Sequence, residues 1–177
     1  MNDVILVNER DKAIGTMDKM KAHELGVLHR AFSIFLFNDN GELLLQKRND
    51  SKYHSGGLWT NTCCSHPKPS DILKEGALKR LNEEMGIAAD INFVFSFIYK
   101  AEFDNGLIEN EFDHVFLGSF NGIPNINSDE VSDWKYMSLQ SIKNEIELSP
   151  ELYTEWFKIA LPKLEIYLSE NGKSNFQ

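Results

Sequence analysis

Five histidines, two adjacent cysteines and two glutamates spaced two apart are the residues of this chain whose types and spacing could do chemistry. His23 and His29 are six apart, which a continuous helix would set on different faces. They converge only if the chain bends or enters a strand between them, and Gly26 permits a bend. His66 sits in the small-residue loop Cys63-Cys64-Ser65-His66-Pro67. Glu109 and Glu111 fall in an expected strand, so both project from one face. A loop–helix junction meeting that face could gather three imidazoles and two carboxylates around a divalent cation. The carboxylates would neutralise its charge, and the nitrogens favour Mn, Fe or Zn over Mg. The alternative is five separate polar residues, because no compact ligand motif is present. His54 and His114 look less useful, and His114 points opposite Glu111 if the strand is regular.

Arg80 and Glu84 are four apart and share a helix face. They read either as a surface ion pair worth about 0.3–0.5 kcal/mol or as a phosphate contact beside a magnesium ligand. Lys47, Arg48 and Lys52 form the densest basic stretch ahead of the His66 loop. Such a cluster could steer and hold a diphosphate, or it could be solvated lysines. Cys64 has three roles open to it: a small buried side chain, a soft metal ligand through its Cys-x-His spacing with His66, or a proton donor and acceptor. Nearby cations and a metal can bring a thiol pKa into a useful range. Cys63 is expected to pack inward.

The elements that must position these residues are legible from turn and periodicity signals. Asn38-Asp39-Asn40-Gly41 separates apolar runs at 30–37 and 42–47, and Asp104-Asn105-Gly106 separates runs at 93–103 and 108–120. Both read as turns of long antiparallel hairpins. A shorter strand is expected at 4–7. Residues 71–85 read as a helix, capped by Ser70 or Asp71, closed by Gly86, with Leu73, Ala77, Leu81 and Met85 as its apolar stripe. A last helix is expected over 151–168, with Pro162 as a kink or break. This order predicts an α+β or mixed α/β layer fold.

At 177 residues with 42% hydrophobic and 25% charged, the chain suits one domain. We expect that domain over 1–170 and a polar tail over 171–177. A net charge of −9 argues against nonspecific nucleic-acid or anionic-lipid partners. No apolar run approaches the roughly 20 residues that span a bilayer. The start Met1-Asn2-Asp3 lacks a signal-peptide pattern. Adjacent cysteines do not form an ordinary disulfide. The expectation is a reduced, cytoplasmic monomer.

Taken together, Trp59-Thr60-Asn61-Thr62-Cys63-Cys64-Ser65-His66-Pro67 and Glu109-Asn110-Glu111, supported by Lys21-Ala22-His23, His29-Arg30-Ala31-Phe32-Ser33 and Lys47-Arg48, resemble the type 1 isopentenyl-diphosphate delta-isomerases. These form a branch of the Nudix fold. The resemblance runs from about Val4 to Leu168 and implies a Nudix-like sheet of antiparallel and mixed strands flanked by helices. In the Nudix box GX5EX7REUXEEXGU, with U aliphatic, the end aligns on Glu83-Glu84-Met85-Gly86-Ile87. That puts Ser65 at the first glycine, Asp71 at the first glutamate, and Lys79 and Arg80 at the arginine and glutamate. Arg80 removes a metal ligand that the hydrolases use and adds a phosphate contact.

The resemblance implies that His23, His29, His66, Glu109 and Glu111 bind one tightly held divalent metal (Mn, Zn or Mg). Glu84, with the Cys64 carbonyl, would hold magnesium accompanying the substrate diphosphate. Lys19, Arg48, Lys52 and Arg80 would contact that diphosphate, and no redox cofactor is needed. Cys64 and Glu111 would be the acid/base pair, with Tyr99 supporting Glu111. Moving a double bond adds a proton at C4 and removes one from C2, through a tertiary carbocation at C3 that demands a dry site. We assign the C4 protonation to Glu111 and the C2 deprotonation to Cys64 as thiolate. The family's Pro-Trp order near the last helix is changed here, which leaves Trp156 as the candidate aromatic wall for the cation or, alternatively, as a packing residue. Two other functions compete with isomerisation. A Nudix hydrolase would use water as nucleophile, against which Arg80 counts. A noncatalytic diphosphate- or metal-binding module would have no need of Cys64, Glu111 and Tyr99 together.

Overall fold

The computed structural model describes residues 3–171, so all but Asn171 of the expected polar tail lies outside them. The chain opens with β1 (Asp3–Val7) and β2 (Ala13–Asp18), then α1 (Lys19–Leu25), β3 (His29–Phe37), β4 (Glu42–Arg48), β5 (Trp59–Thr60) and β6 (Cys63–Ser65). It continues through α2 (Leu73–Met85), β7 (Ile91–Glu102), β8 (Ile108–Ser119), β9 (Val131–Ser138), α3 (Leu139–Leu148) and α4 (Glu155–Glu170). A 3-10 turn, Pro150–Leu152, precedes α4. No helix of the described residues is long and apolar enough to cross a membrane.

The centre of the mixed sheet is the parallel pair β3 and β8, aligned from His29 opposite Glu111 to Phe37 opposite Ser119. Both strands are buried on both faces, and alternation of side chains divides the core in two. Phe35 and Phe37 point to one side, where Phe157, Leu161 and Leu164 of α4 pack. Phe32, Ile34 and Leu36 point to the other, against Ala77, Leu81 and Met85 of α2. The expected α2 stripe therefore faces the sheet. The helix begins at Leu73, without a side-chain cap, rather than at 71. Asp71 instead accepts from the Lys68 amide at 3.1 Å and closes the turn around Pro69.

The hairpin at 104–106 forms as expected, with Glu102 paired to Ile108 and the β7–β8 ladder running to Ile91 opposite Gly118. The hairpin at 38–41 forms only next to its turn and is not the long ladder expected. Its turn is present, with Asn38 accepting from the Asn40 and Glu42 amides, but β3 and β4 share only the Phe37–Leu43 pair. They splay because β3 takes β8 and β6 as partners, while β4 pairs with β9 from Glu42–Ser138 to Arg48–Val131 and with β5. The last helix is also shorter at its start than expected. The chain breaks at Tyr153 and Thr154, where Thr154 donates to the Trp59 carbonyl (3.0 Å) and to Thr60 Oγ1 (2.9 Å). Pro162 lies inside α4 without ending it. These two bonds tie the start of α4 to the strand that leads into Cys64.

Candidate active site

Strand register assembles the site. Glu111 on β8 has His29 directly beside it on β3 and Tyr99 directly beside it on β7. Cys64 on β6 sits opposite Ser33 on the other edge of β3. His66 follows immediately as the chain leaves β6. His23 comes from α1, whose first turn Asp18 caps by accepting from the Lys21 amide (3.1 Å). Gly26 ends that helix in the left-handed conformation (φ 61°), and a Cβ there would meet Ile108 at 3.1 Å. This is the bend that lets residues six apart meet: the rings of His23 and His29 lie 4.8 Å apart between centroids.

Glu111 is the hub. Its Oε1 lies 2.8 Å from His66 Nε2, 3.5 Å from His29 Nε2 and 3.9 Å from His23 Nε2. On its other oxygen, Oε2, it accepts from the Tyr99 hydroxyl at 2.6 Å. The ligand atoms of His23, His29, His66 and Glu111 all fall within 4.8 Å of one another. His23 and His29 donate through Nδ1 to the Lys19 and Val27 carbonyls (2.7 and 2.8 Å). A carbonyl can only accept, so Nδ1 carries a proton in each ring, which leaves Nε2 as the nitrogen free to act as a ligand. His23 Nε2 has no hydrogen-bond partner among the described residues, although it is buried. Buried lone pairs converging on a carboxylate could hold a divalent cation, and four of the five residues expected to do so meet here.

Glu109 stands slightly apart. It contacts Tyr99 at 3.1 Å and forms a second group with His23 and His54. His54, set aside in the sequence, is in fact buried beside the centre with its Nε2 3.2 Å from Glu109 Oε1. His114 does point away, and its Nε2 is 2.9 Å from Asp11 Oδ2.

Burial raises Glu109 well above the carboxylate range, and the charge of Glu111 adds to it. Burial would do the same to Glu111, but His66 and His29 outweigh it and hold that group well below the usual range. Of the two coupled carboxylates, Glu109 therefore holds a proton more readily than Glu111. Desolvation pulls His66 and His54 down to about 3, with Glu111 pulling the other way.

The pocket beside this cluster is lined by Lys19, Arg48, Lys52, Cys64, Arg80, Glu84, Tyr99 and Trp156, together with His66, Glu109 and Glu111. Every expected diphosphate contact is thus in one cavity with the acid/base candidates, and so is Tyr53. Arg80 and Glu84 are no surface pair: Arg80 donates to Glu84 Oε1 at 2.5 Å, and Glu84 is 5% exposed. Glu84 Oε2 accepts from Gln46 Nε2 at 3.0 Å. Glu130, which the sequence reading missed, pairs with Lys52 and lies 3.3 Å from Arg80. The cationic end therefore comes with a carboxylate already bound where an anion would sit. Arg48 lies 5.0 Å from the centre of the Trp156 ring. Trp156 both lines the pocket and belongs to the α4 core, so its two roles coexist.

Burial pushes the Cys64 thiol up to about 12, with Arg48 pulling the other way. Without metal and substrate the thiol form is favoured. Cys63 packs inward as expected, fully buried against α2, and both cysteines are free.

Residues 27–157 match the family model of the NUDIX domain. The chain is 47% identical over 171 residues to isopentenyl-diphosphate Delta-isomerase 2 of Aromatoleum aromaticum, covering 97% of this chain and 90% of that protein. It is 51% identical over 155 residues to isopentenyl-diphosphate Delta-isomerase 2 of Photorhabdus laumondii, covering 88% of each. Among solved structures, DR0079 from Deinococcus radiodurans shares the fold with a TM-score of 0.76 at 17% identity, over 91% of this chain and 98% of that one. The chain belongs to the NUDIX domain family and, within it, to the isopentenyl-diphosphate Delta-isomerases.

Proposed function

We propose that the protein interconverts isopentenyl diphosphate and dimethylallyl diphosphate, acting as a monomer and supplying isoprenoid precursors. The observation that carries this is the convergence in one pocket of the Cys64 thiol and the Glu111 carboxylate beside a cationic end that holds Arg80 at a position where hydrolases carry a carboxylate.

Arg80, Lys52, Arg48 and Lys19 bind the diphosphate, with Arg80 and Lys52 moving from Glu84 and Glu130 onto phosphate oxygens. That exchange frees a Glu84 oxygen, which with the Cys64 carbonyl suits magnesium arriving on the substrate. His23, His29, His66, Glu109 and Glu111 hold the resident divalent ion. When bound, such an ion would draw charge from Glu111 and make its carboxyl group a stronger acid. The alkene lies between Glu111 and Cys64. Tyr99 orients Glu111 by donating to Oε2.

One proton enters at C4 and one leaves C2, so the pair carries one proton in total and alternates between two states. The cycle starts with Glu111 protonated and Cys64 as thiolate, and ends with the carboxylate and thiol described above. The reverse reaction, or exchange with solvent, resets it. Trp156 faces the cationic carbon and keeps water from it.

Incubation with isopentenyl diphosphate and magnesium in D2O, followed by proton and phosphorus NMR, tests the assignment. Dimethylallyl diphosphate containing deuterium, with the diphosphate intact, is the expected product. Free phosphate would assign a hydrolase instead, and an unchanged spectrum from metal-loaded protein would leave a binding module.

A further inference from the structure

The chemistry above leaves two buried imidazoles unused, and one of them, His114, faces Asp11. His54 is 7% exposed, and its Nε2 has no hydrogen-bond partner among the described residues. The ring is held in a cage. Phe103 stacks on it with centroids 4.9 Å apart and planes within 14°. Tyr53 meets it edge-on at 4.3 Å and Trp156 at 5.9 Å. Below the ring, Arg48 fixes the backbone by donating to the His54 and Ser55 carbonyls, both at 3.2 Å.

An unpartnered buried polar atom is costly, so a ring nitrogen held in this position calls for a partner. The cage keeps both nitrogens away from solvent and aims them at polar neighbours. It holds Nδ1 3.3 Å from the Ser55 hydroxyl, which can accept its proton, and holds Nε2 3.2 Å from Glu109 Oε1. The second unpartnered imidazole nitrogen, His23 Nε2, belongs to the same group: the ligand atoms of His23, His54 and Glu109 all lie within 4.8 Å of one another. Two buried lone pairs and a carboxylate oxygen facing a common point make a cation-binding set.

We propose that His54 is a metal ligand of this chain, binding through Nε2 a divalent transition-metal ion together with His23 and Glu109. One imidazole nitrogen binds one ion, so the shared His23 makes this set an extension of the centre that includes His29, His66 and Glu111, although in the metal-free structure the two sets have only His23 in common. An ion that draws the two sets together is offered four imidazoles and two carboxylates. Added nitrogen favours zinc, iron or nickel over magnesium, whose preference is for oxygen. His54 thereby sets which metal the chain keeps.

The inference rests on the metal reading of the His/Glu cluster, and the test separates the two. Full-length protein stripped of metal is reloaded with zinc alone, and the ring nitrogens of its five histidines are followed by long-range proton–nitrogen NMR. His114, which faces Asp11, is the internal control. The expected result is a metal-bound nitrogen shift for His54 Nε2 alongside those of His23, His29 and His66, with His114 unmoved. In His54→Phe, which keeps the stack on Phe103, zinc affinity measured against a competing chelator is expected to fall at least about tenfold. An unshifted His54 in zinc-loaded wild-type protein overturns the proposal without any variant. So does an unchanged zinc Kd in His54→Phe. If none of the histidines shifts because zinc does not bind, the metal reading itself fails and takes this inference with it.

Discussion

The Tyr99 hydroxyl stands 2.6 Å from Glu111 Oε2 and 3.1 Å from Glu109 Oε2, bridging two buried carboxylates with a single proton to give. The shorter bond takes that proton. The longer contact, with Glu109, is the weaker arm of the bridge. The bridge aligns Glu111 while its other oxygen faces the imidazoles. Removing it with Tyr99→Phe is expected to lower kcat by about 10–100-fold, the range for a group that orients a metal-bound side chain. KM for the diphosphate substrate should stay within about threefold, since the cationic contacts are untouched. A KM change without a kcat change would mean that Tyr99 shapes the pocket and not Glu111.

Glu111 is asked to do two jobs, and both should fail together. Glu111→Gln keeps the shape and the Tyr99 bond but removes the charge on which the imidazoles converge. Metal content per chain, measured after dialysis, is expected to fall with turnover. Full metal occupancy with lost turnover would confine Glu111 to proton transfer.

Cys64→Ala should keep the fold and the metal while losing turnover by at least about a hundredfold, the lower end of acid/base contributions. Because burial holds the resting thiol protonated, alkylation of Cys64 in metal-free, substrate-free protein at neutral pH should be slower than that of an ordinary cysteine. Mass spectrometry after iodoacetamide treatment checks this. Rapid modification of Cys64 would place the resting site in the thiolate state.

Tyr153 donates to Glu145 Oε2 at 2.5 Å, joining α3 to the segment that leads into α4. The bond and Lys135 hold Glu145 below its ordinary value against a small opposing effect of burial. A carboxylate depressed on folding stabilises the native state above its unfolded pKa, and that contribution disappears as pH falls through the folded one. Glu145 is largely solvated, so Tyr153→Phe should cost only about 1 kcal/mol at neutral pH. The gap between variant and wild type should close in acid. Urea denaturation at neutral and acid pH measures it, and a gap that persists in acid would trace the cost to packing of the ring.

How much of this was legible in the sequence differs by element. The 104–106 hairpin and α2 were readable because turn residues and a local apolar stripe mark them. The 38–41 hairpin was misread for a long-range reason: its turn is real, but β4 finds β9, almost ninety residues away, and no local pattern announces that pairing. β9 and α3 escaped for the same cause, being short and half-exposed. Among site residues, His23 and His29 could be joined because Gly26 offered a bend. His54 could not be placed, since its position depends on how Arg48 gathers the 53–57 loop. Glu130 carried no signal beyond one acid among twenty-seven acidic residues.

Trp156 carries the last prediction because its two roles give different outcomes. The residue is 4% exposed and packs with the α4 core, yet its ring lines the pocket under Arg48. Truncation to Ala would cost about 3–5 kcal/mol of stability by cavity formation, so it cannot separate the roles. Trp156→Phe preserves most of the packing and an aromatic face but offers a weaker ring to a cation. If the indole stabilises a desolvated carbocation by about 2 kcal/mol, the loss to Phe is a fraction of that, about 3–10-fold in kcat. Trp156→Leu, which fills the space with no π face, should lose about 30-fold, the full effect. The discriminating observation is the order of kcat, Trp above Phe above Leu, at temperatures where all three are folded by circular dichroism. Equal kcat for Phe and Leu would assign Trp156 to packing and to supporting Arg48, and leave the carbocation to the carboxylates alone.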